Sequence, residues 1–122
     1  LKKDGEGTGS DIRERVFEFA CAVVDVHRSL YRRTPELRSL TFQASNAATS
    51  IGANLEEADA AQSRADFVSK CTISLKEARE SRYWLRILHR TLKNEKLAEL
   101  IRESTQIIAI LTTIVRKTKE HS

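Results

Sequence analysis

Residues 64–92 read RADFVSKCTISLKEARESRYWLRILHRTL, and this stretch decides the fold. Phe67, Cys71, Ser74, Ala78, Ser81, Leu85, Leu88 and Leu92 follow one another at alternating spacings of four and three without a slip. Two helical turns take up nearly seven residues, so this rhythm stacks all of these side chains into one stripe. Neither glycine nor proline interrupts the run. The stretch predicts one long amphipathic helix, about Arg64–Leu92.

The same rhythm extends outward in both directions. Upstream, about Pro35–Ala61, it is carried by Leu37, Leu40, Ala44, Ala47, Ile51, Asn54 and Ala58. This seam is mostly small residues, so a neighbouring helix can approach closely. Gln62-Ser63 closes the segment, and Ser63 followed by Asp66 resembles a capping box for the helix after it. Further upstream, about Asp11–Arg33, the stripe is Ile12, Val16, Phe19, Val23, Val26 and Leu30. Thr34 as cap, Pro35 in the first turn and Glu36 at the positive end of the dipole mark the boundary between these two segments. Downstream, about Glu95–Lys119, Leu97, Ile101, Ser104, Ile108, Leu111, Val115 and Thr118 repeat the pattern after a short turn at Lys93-Asn94.

Short connections place sequential helices side by side and antiparallel. The expected architecture is therefore all-α: an antiparallel up-down-up-down four-helix bundle over residues 11–119. A polar, Gly-rich tail (1–10) and a brief C-terminal end (120–122) flank it. The chain of 122 residues is long enough for one such core, and its single proline and clustered glycines disfavour a many-turned β fold. No methionine occurs, position 1 included, so we expect the natural start to lie upstream.

A seam asparagine, Asn54, is expected to be buried and to fix register or assembly geometry, since a buried amide must find hydrogen-bond partners. Cys21 and Cys71 both fall in apolar helical stretches and read as buried thiols of a reducing cytoplasm rather than a disulfide or a metal pair. Apolar residues also exceed what one core needs. Leu100, Ile107 and Ile114 recur every seven residues beside the fourth seam, Phe17, Val24 and Tyr31 beside the first, and Ile73, Trp84 and Ile87 flank the third. Stripes of this kind point to self-association, with Ile73, Trp84, Ile87, Leu100, Ile107 and Ile114 as the expected interface.

Catalytic chemistry finds no foothold. A di-metal carboxylate site needs Glu-x-x-His on paired helices, and none occurs. His27, His89 and His121 lie on separate segments, no Gly-rich phosphate loop exists, and no apolar run is long enough to span a bilayer. We therefore expect no enzyme, no metal, no cofactor, no small-molecule substrate and no membrane partner. The remaining signal is charge. Lys76, Arg79, Arg82, Arg86, Arg90 and Lys93 recur at spacings of three and four along the third helix. They occupy a sector about 120° wide. Like charges at these spacings repel unless something neutralises them. Two readings stand: salt bridges to Glu99 and Glu103 of the fourth helix, or phosphates of a nucleic acid.

Several of these residues also carry a resemblance. Leu40, Gln43, Ala47 and the run Ser50-Ile51-Gly52-Ala53-Asn54-Leu55-Glu56-Glu57 resemble the proteins encoded by intervening sequences of bacterial 23S ribosomal RNA. So do Asp66-Phe67 and the run from Lys76 to Leu85, KEARESRYWL. The resemblance covers about Asp11 to Lys119. Asn46, where many members have arginine, and Ala58, where many have glycine, depart from the pattern. It implies an antiparallel bundle that assembles as a cyclic homo-oligomer, pentamers being the precedent. It also implies kinship with retroelement accessory proteins, whose basic surfaces contact nucleic acid and a reverse transcriptase. The partners it suggests are therefore RNA, a nucleic-acid-processing protein, or further copies of the chain; no catalytic residue comes with it.

Overall fold

The computed structural model of the protein describes residues 9–120. They form α1 (Gly9–Arg33), a 3-10 turn (Pro35–Leu37), α2 (Arg38–Asp59), α3 (Arg64–Leu92) and α4 (Glu95–Glu120), with no strand among the described residues. Each helix packs antiparallel on the one before it, and α1 returns alongside α4 to close the bundle. Gly9 and Ser10 belong to the first turn of α1 and Glu120 to the last of α4. The rest of the expected tail, and residues 121–122, lie outside the described residues.

The α2–α3 pairing is the closest in the molecule, and small side chains make it so. α2 buries Ala44, Ala47, Ala48 and Ala58 while α3 buries Ser74, Ala78 and Ser81. Ser74 Oγ donates to the Ile51 carbonyl at 2.8 Å, a bond that requires the α2 backbone to lie within reach of a two-atom side chain. Around this contact Val16, Ile51, Leu85, Leu88, Leu97, Ile107 and Leu111 fill the core with almost no exposure. Gly52 extends the close approach to α1, since a Cβ there would stand only 3.3 Å from Val16 Cγ1.

The seams of α1 and α3 run as the spacing predicts; those of α2 and α4 differ. On α2 the buried positions are Thr41, Ala44, Ala47, Ala48, Ile51, Leu55 and Ala58, so Leu55 takes the place expected for Asn54. Asn54 is half-buried, and its amide donates to the Ser50 carbonyl of its own helix at 2.9 Å instead of crossing the bundle. On α4 the buried stripe is Leu97, Leu100, Ser104, Ile107, Leu111 and Val115, with Ile101 and Ile108 packed on its flank. Leu100 and Ile107, expected at an interface, are core residues at 5% and 0% exposure. The positions common to both stripes stay buried: Ala44, Ala47, Ile51 and Ala58 on α2, and Leu97, Ser104, Leu111 and Val115 on α4. Each helix is turned slightly about its axis so that Leu55, or Leu100 and Ile107, faces the core.

The helix ends also depart from expectation at one point. Thr34 does not cap α2. Its hydroxyl donates back to the Leu30 carbonyl at 2.9 Å, closing the end of α1, and α2 begins only after the 3-10 turn. Arg38 secures this corner by donating Nε to the Tyr31 carbonyl at 2.7 Å while its guanidinium lies 4.1 Å over the Tyr31 ring. Ser63 does cap α3, accepting from the Asp66 amide at 3.0 Å. Asn94 caps α4 through Oδ1, which accepts from the Leu97 amide at 3.1 Å.

Candidate nucleic-acid interface

The rigid helix that supplies the α2–α3 contact turns its other side outward. Lys76, Arg79, Arg86, Arg90 and Lys93 are exposed and Arg82 is half-buried, all on one flank of α3. None of the six forms an ion pair with another described residue. The carboxylates expected to neutralise them serve other helices. Glu103 accepts two bonds from Arg15 of α1, at 2.7 and 3.0 Å, and Glu99 stands 3.9 Å from Lys96 on its own helix. Glu80 accepts from Trp84 Nε1 at 3.2 Å. The salt-bridge reading of the row is thus corrected: α4 faces α1, not the α3 cations, with its acidic side chains.

Some arginines elsewhere have carboxylate partners, while Arg32, Arg33, Arg64 and Arg116 form no ion pair among the described residues either. Arg13 reaches Glu56 at 3.3 Å and Asp59 at 3.2 Å, and Arg102 reaches Glu95 at 3.2 Å. Burial raises the pKa of the Glu77 carboxyl of α3, and the nearby Glu80 charge adds to the effect while Lys76 opposes it. Arg82 Nε and His89 Nδ1 are buried nitrogens with no partner among the described residues, and both belong to α3.

The last cation of the row carries a backbone cost. Lys93 has φ 53° and ψ 55°, the left-handed conformation that usually falls to glycine at a helix end. Its amide bonds the His89 carbonyl at 2.7 Å, which closes α3 and sets the turn into α4.

One residue of this surface escaped the sequence reading. Tyr83 lies four residues after Arg79 and three before Arg86, so it shares their flank, and it is 55% exposed. The spacing that reveals it is legible in the sequence, since Tyr83 falls at the four-three interval between Arg79 and Arg86. Tyr83, Arg86, Ile87 and Arg90, with Ile101 of α4, line an open cleft of about 500 Å³. The Trp84 ring braces Tyr83 edge-on, with centroids 5.3 Å apart and planes at 70°.

The expected interface residues scatter. Ile73 is 38% exposed, Trp84, Ile87 and Ile114 are half-buried, and Leu100 and Ile107 are inside. Further outward apolar surface lies on α1 and α2: Phe42 of α2 is exposed, and Phe17 of α1, 60% exposed, borders a groove of about 440 Å³ with Ala20, Cys21 and Val24 of α1 and Gly52 and Ala53 of α2. Cys21 is therefore exposed, contrary to expectation, while Cys71 is buried and its thiol pKa is raised by that burial. Among the described residues no three His, Cys, Asp or Glu side chains stand together as a metal site. No helix among them is long and apolar enough to cross a membrane.

Fold and surface together define a small antiparallel helical bundle with one unneutralised cationic flank. The profile of the 23S rRNA-intervening sequence protein family matches residues 9–113, and the chain belongs to that family. Among solved structures it is similar to a protein of unknown function from the S23 ribosomal protein family of Bacteroides thetaiotaomicron. The two are 38% identical with a TM-score of 0.79, over 85% of this chain and 97% of that one. No curated protein matches the chain. Neither description names an enzymatic activity.

Proposed function

We propose that the protein is a non-enzymatic, self-associating module that binds RNA through the outer flank of α3. The observation that carries this reading is the one-sided alignment of six cations, Lys76, Arg79, Arg82, Arg86, Arg90 and Lys93, along a single flank of α3 with no ion pair among the described residues. A row of like charges at helical spacing costs a few tenths of a kcal/mol per neighbouring pair. Phosphates spaced along a nucleic-acid backbone remove that cost and release counterions, which drives association. Contacts of this kind position a ligand without reading its sequence, so specificity is low and salt dependence steep.

Arg86 and Arg90 are exposed, so reversing them spares the core. An Arg86→Glu/Arg90→Glu variant should keep its helicity and lose RNA affinity by roughly a hundredfold at low salt in filter binding. Unchanged affinity would end the reading. If the partner of this flank were instead an acidic protein, association in cell extracts would survive nuclease treatment; we expect it to vanish.

Self-association fits the apolar surface left open on α1. Phe17 and Tyr31, 60% and 46% exposed, recur along one side of α1 with half-buried Val24 between them. Light scattering of the purified protein should give a multiple of the 13.8 kDa protomer mass, and a monomer at micromolar concentration contradicts this part.

A further inference from the structure

Tyr83 gives the cationic flank something that phosphate binding does not require. An isolated row of arginines and lysines sees only backbone charge, and a duplex satisfies it as well as a single strand. An exposed aromatic ring among those cations offers a flat face on which an unpaired base can stack, at about 1–3 kcal/mol per base. Tyr83 meets the physical conditions for such a platform. Its ring is 55% exposed and stands among cations that no described carboxylate pairs. It is also held in place from behind. Trp84 packs against the core, donates Nε1 to Glu80 and presents its ring to Tyr83 at 70°. A braced ring loses little side-chain freedom when a ligand stacks on it.

The cleft beside Tyr83 has the size and lining for one nucleotide. Its volume of about 500 Å³ exceeds that of a base and sugar, Ile87 and Ile101 give it apolar patches, and Arg86 and Arg90 edge it. A guanidinium can bond a phosphate oxygen or lie flat on a base, and two of them at i, i+4 can do one of each. We infer that the Tyr83 cleft is a stacking subsite for an unpaired nucleotide, so that the α3 flank selects single-stranded or looped RNA over continuous duplex. Tyr83 stacks on the base, while Arg86 and Arg90 divide the phosphate and the second face of the base between them. Because every base has a π-face, this preference concerns strandedness and not sequence.

The inference rests on the RNA-binding reading above, and the test separates the two. Three ligands of equal length are titrated at one salt concentration: a single-stranded RNA, an abasic analogue of it, and an RNA duplex. The intrinsic fluorescence of Trp84, the one tryptophan of the chain, serves as the signal together with anisotropy of the labelled RNA. The wild-type protein should bind the single strand roughly tenfold more tightly than the abasic analogue. Tyr83→Leu should erase that margin while leaving abasic affinity unchanged, and Tyr83→Phe should preserve it. The exposure of Tyr83 makes both substitutions compatible with folding, which circular dichroism verifies. If Tyr83→Leu binds the single strand as tightly as the wild type, the stacking subsite is overturned while phosphate binding stands. If the wild type binds none of the three ligands, both readings fall.

Discussion

The two sides of α3 obey opposite rules. On the inner side every seam position from Cys71 to Leu88 is buried, the side chains are small or aliphatic, and the one crossing polar contact, Ser74 to the Ile51 carbonyl, is satisfied. On the outer side the side chains are long and cationic, and none has a described carboxylate in ion-pairing range. Inside, the chain supplies the packing and most of the polar partners, with Arg82 Nε and His89 Nδ1 as buried nitrogens left over. Outside, charge complementarity is left for something else to complete. Some arginines of α1 do find carboxylates, Arg15 at Glu103 and Arg13 at Glu56 and Asp59, while Arg32, Arg33 and Arg116 have no described ion pair either; what sets the α3 row apart is its alignment on one flank. A row of like charges over five turns of helix costs a few tenths of a kcal/mol per neighbouring pair, a cost that the proposed phosphate contacts would remove.

Substitutions on the two sides should therefore separate stability from binding. The largest stability effect belongs to the inner side. Leu85 is fully buried, and Leu85→Ala should cost about 2–5 kcal/mol in chemical denaturation. The molecules that remain folded should bind RNA normally. A loss of affinity without a loss of stability would break the division between the two sides.

Lys93 sits where the two sides meet, because it ends the helix and extends the cationic row. Its left-handed backbone costs about 1–2 kcal/mol that glycine avoids, offset by the greater freedom of glycine in the unfolded chain. Lys93→Gly should raise the melting temperature by a few degrees and weaken RNA binding a few-fold. A variant that gains stability at no cost in binding would remove Lys93 from the interface.

The smallest effect concerns Glu77, whose carboxyl pKa is raised first by burial and then by Glu80. A carboxyl that keeps its proton more firmly in the fold than in the unfolded chain makes the folded state most favourable when protonated. Its contribution falls as pH rises from the unfolded value through the raised folded one. Glu77→Gln should therefore give a slight gain in melting temperature at neutral pH that disappears in acid. An equal gain at every pH would assign the effect to packing instead.

Much of this was legible in the chain because α1 and α3 mark their seams with bulky residues. Val16, Phe19, Val23, Leu85 and Leu88 could be placed by spacing alone. The seam of α2 could not, since alanines on several sides of the helix blur its buried face, and the packed helix buries Leu55 where the spacing placed Asn54. On α4 Leu100, Ile101, Ile107 and Ile108 form so broad a face that either stripe fits the spacing, and Leu100 and Ile107, two of the residues assigned to an interface, proved to be core. The cationic row was equally visible, but its meaning was not. Whether Glu99 and Glu103 would reach it depends on which helix α4 turns its acidic residues toward, and that is a matter of three-dimensional packing.

The salt dependence of RNA affinity addresses the unpaired flank most directly. With several of the six cations each releasing a counterion, log affinity against log salt concentration should fall with a slope of roughly −3 to −4. In Arg86→Glu/Arg90→Glu that slope should become shallower by about one to two. A slope near zero in the wild-type protein, or the same steep slope in both proteins, would mean that phosphates do not complete the outer side of α3.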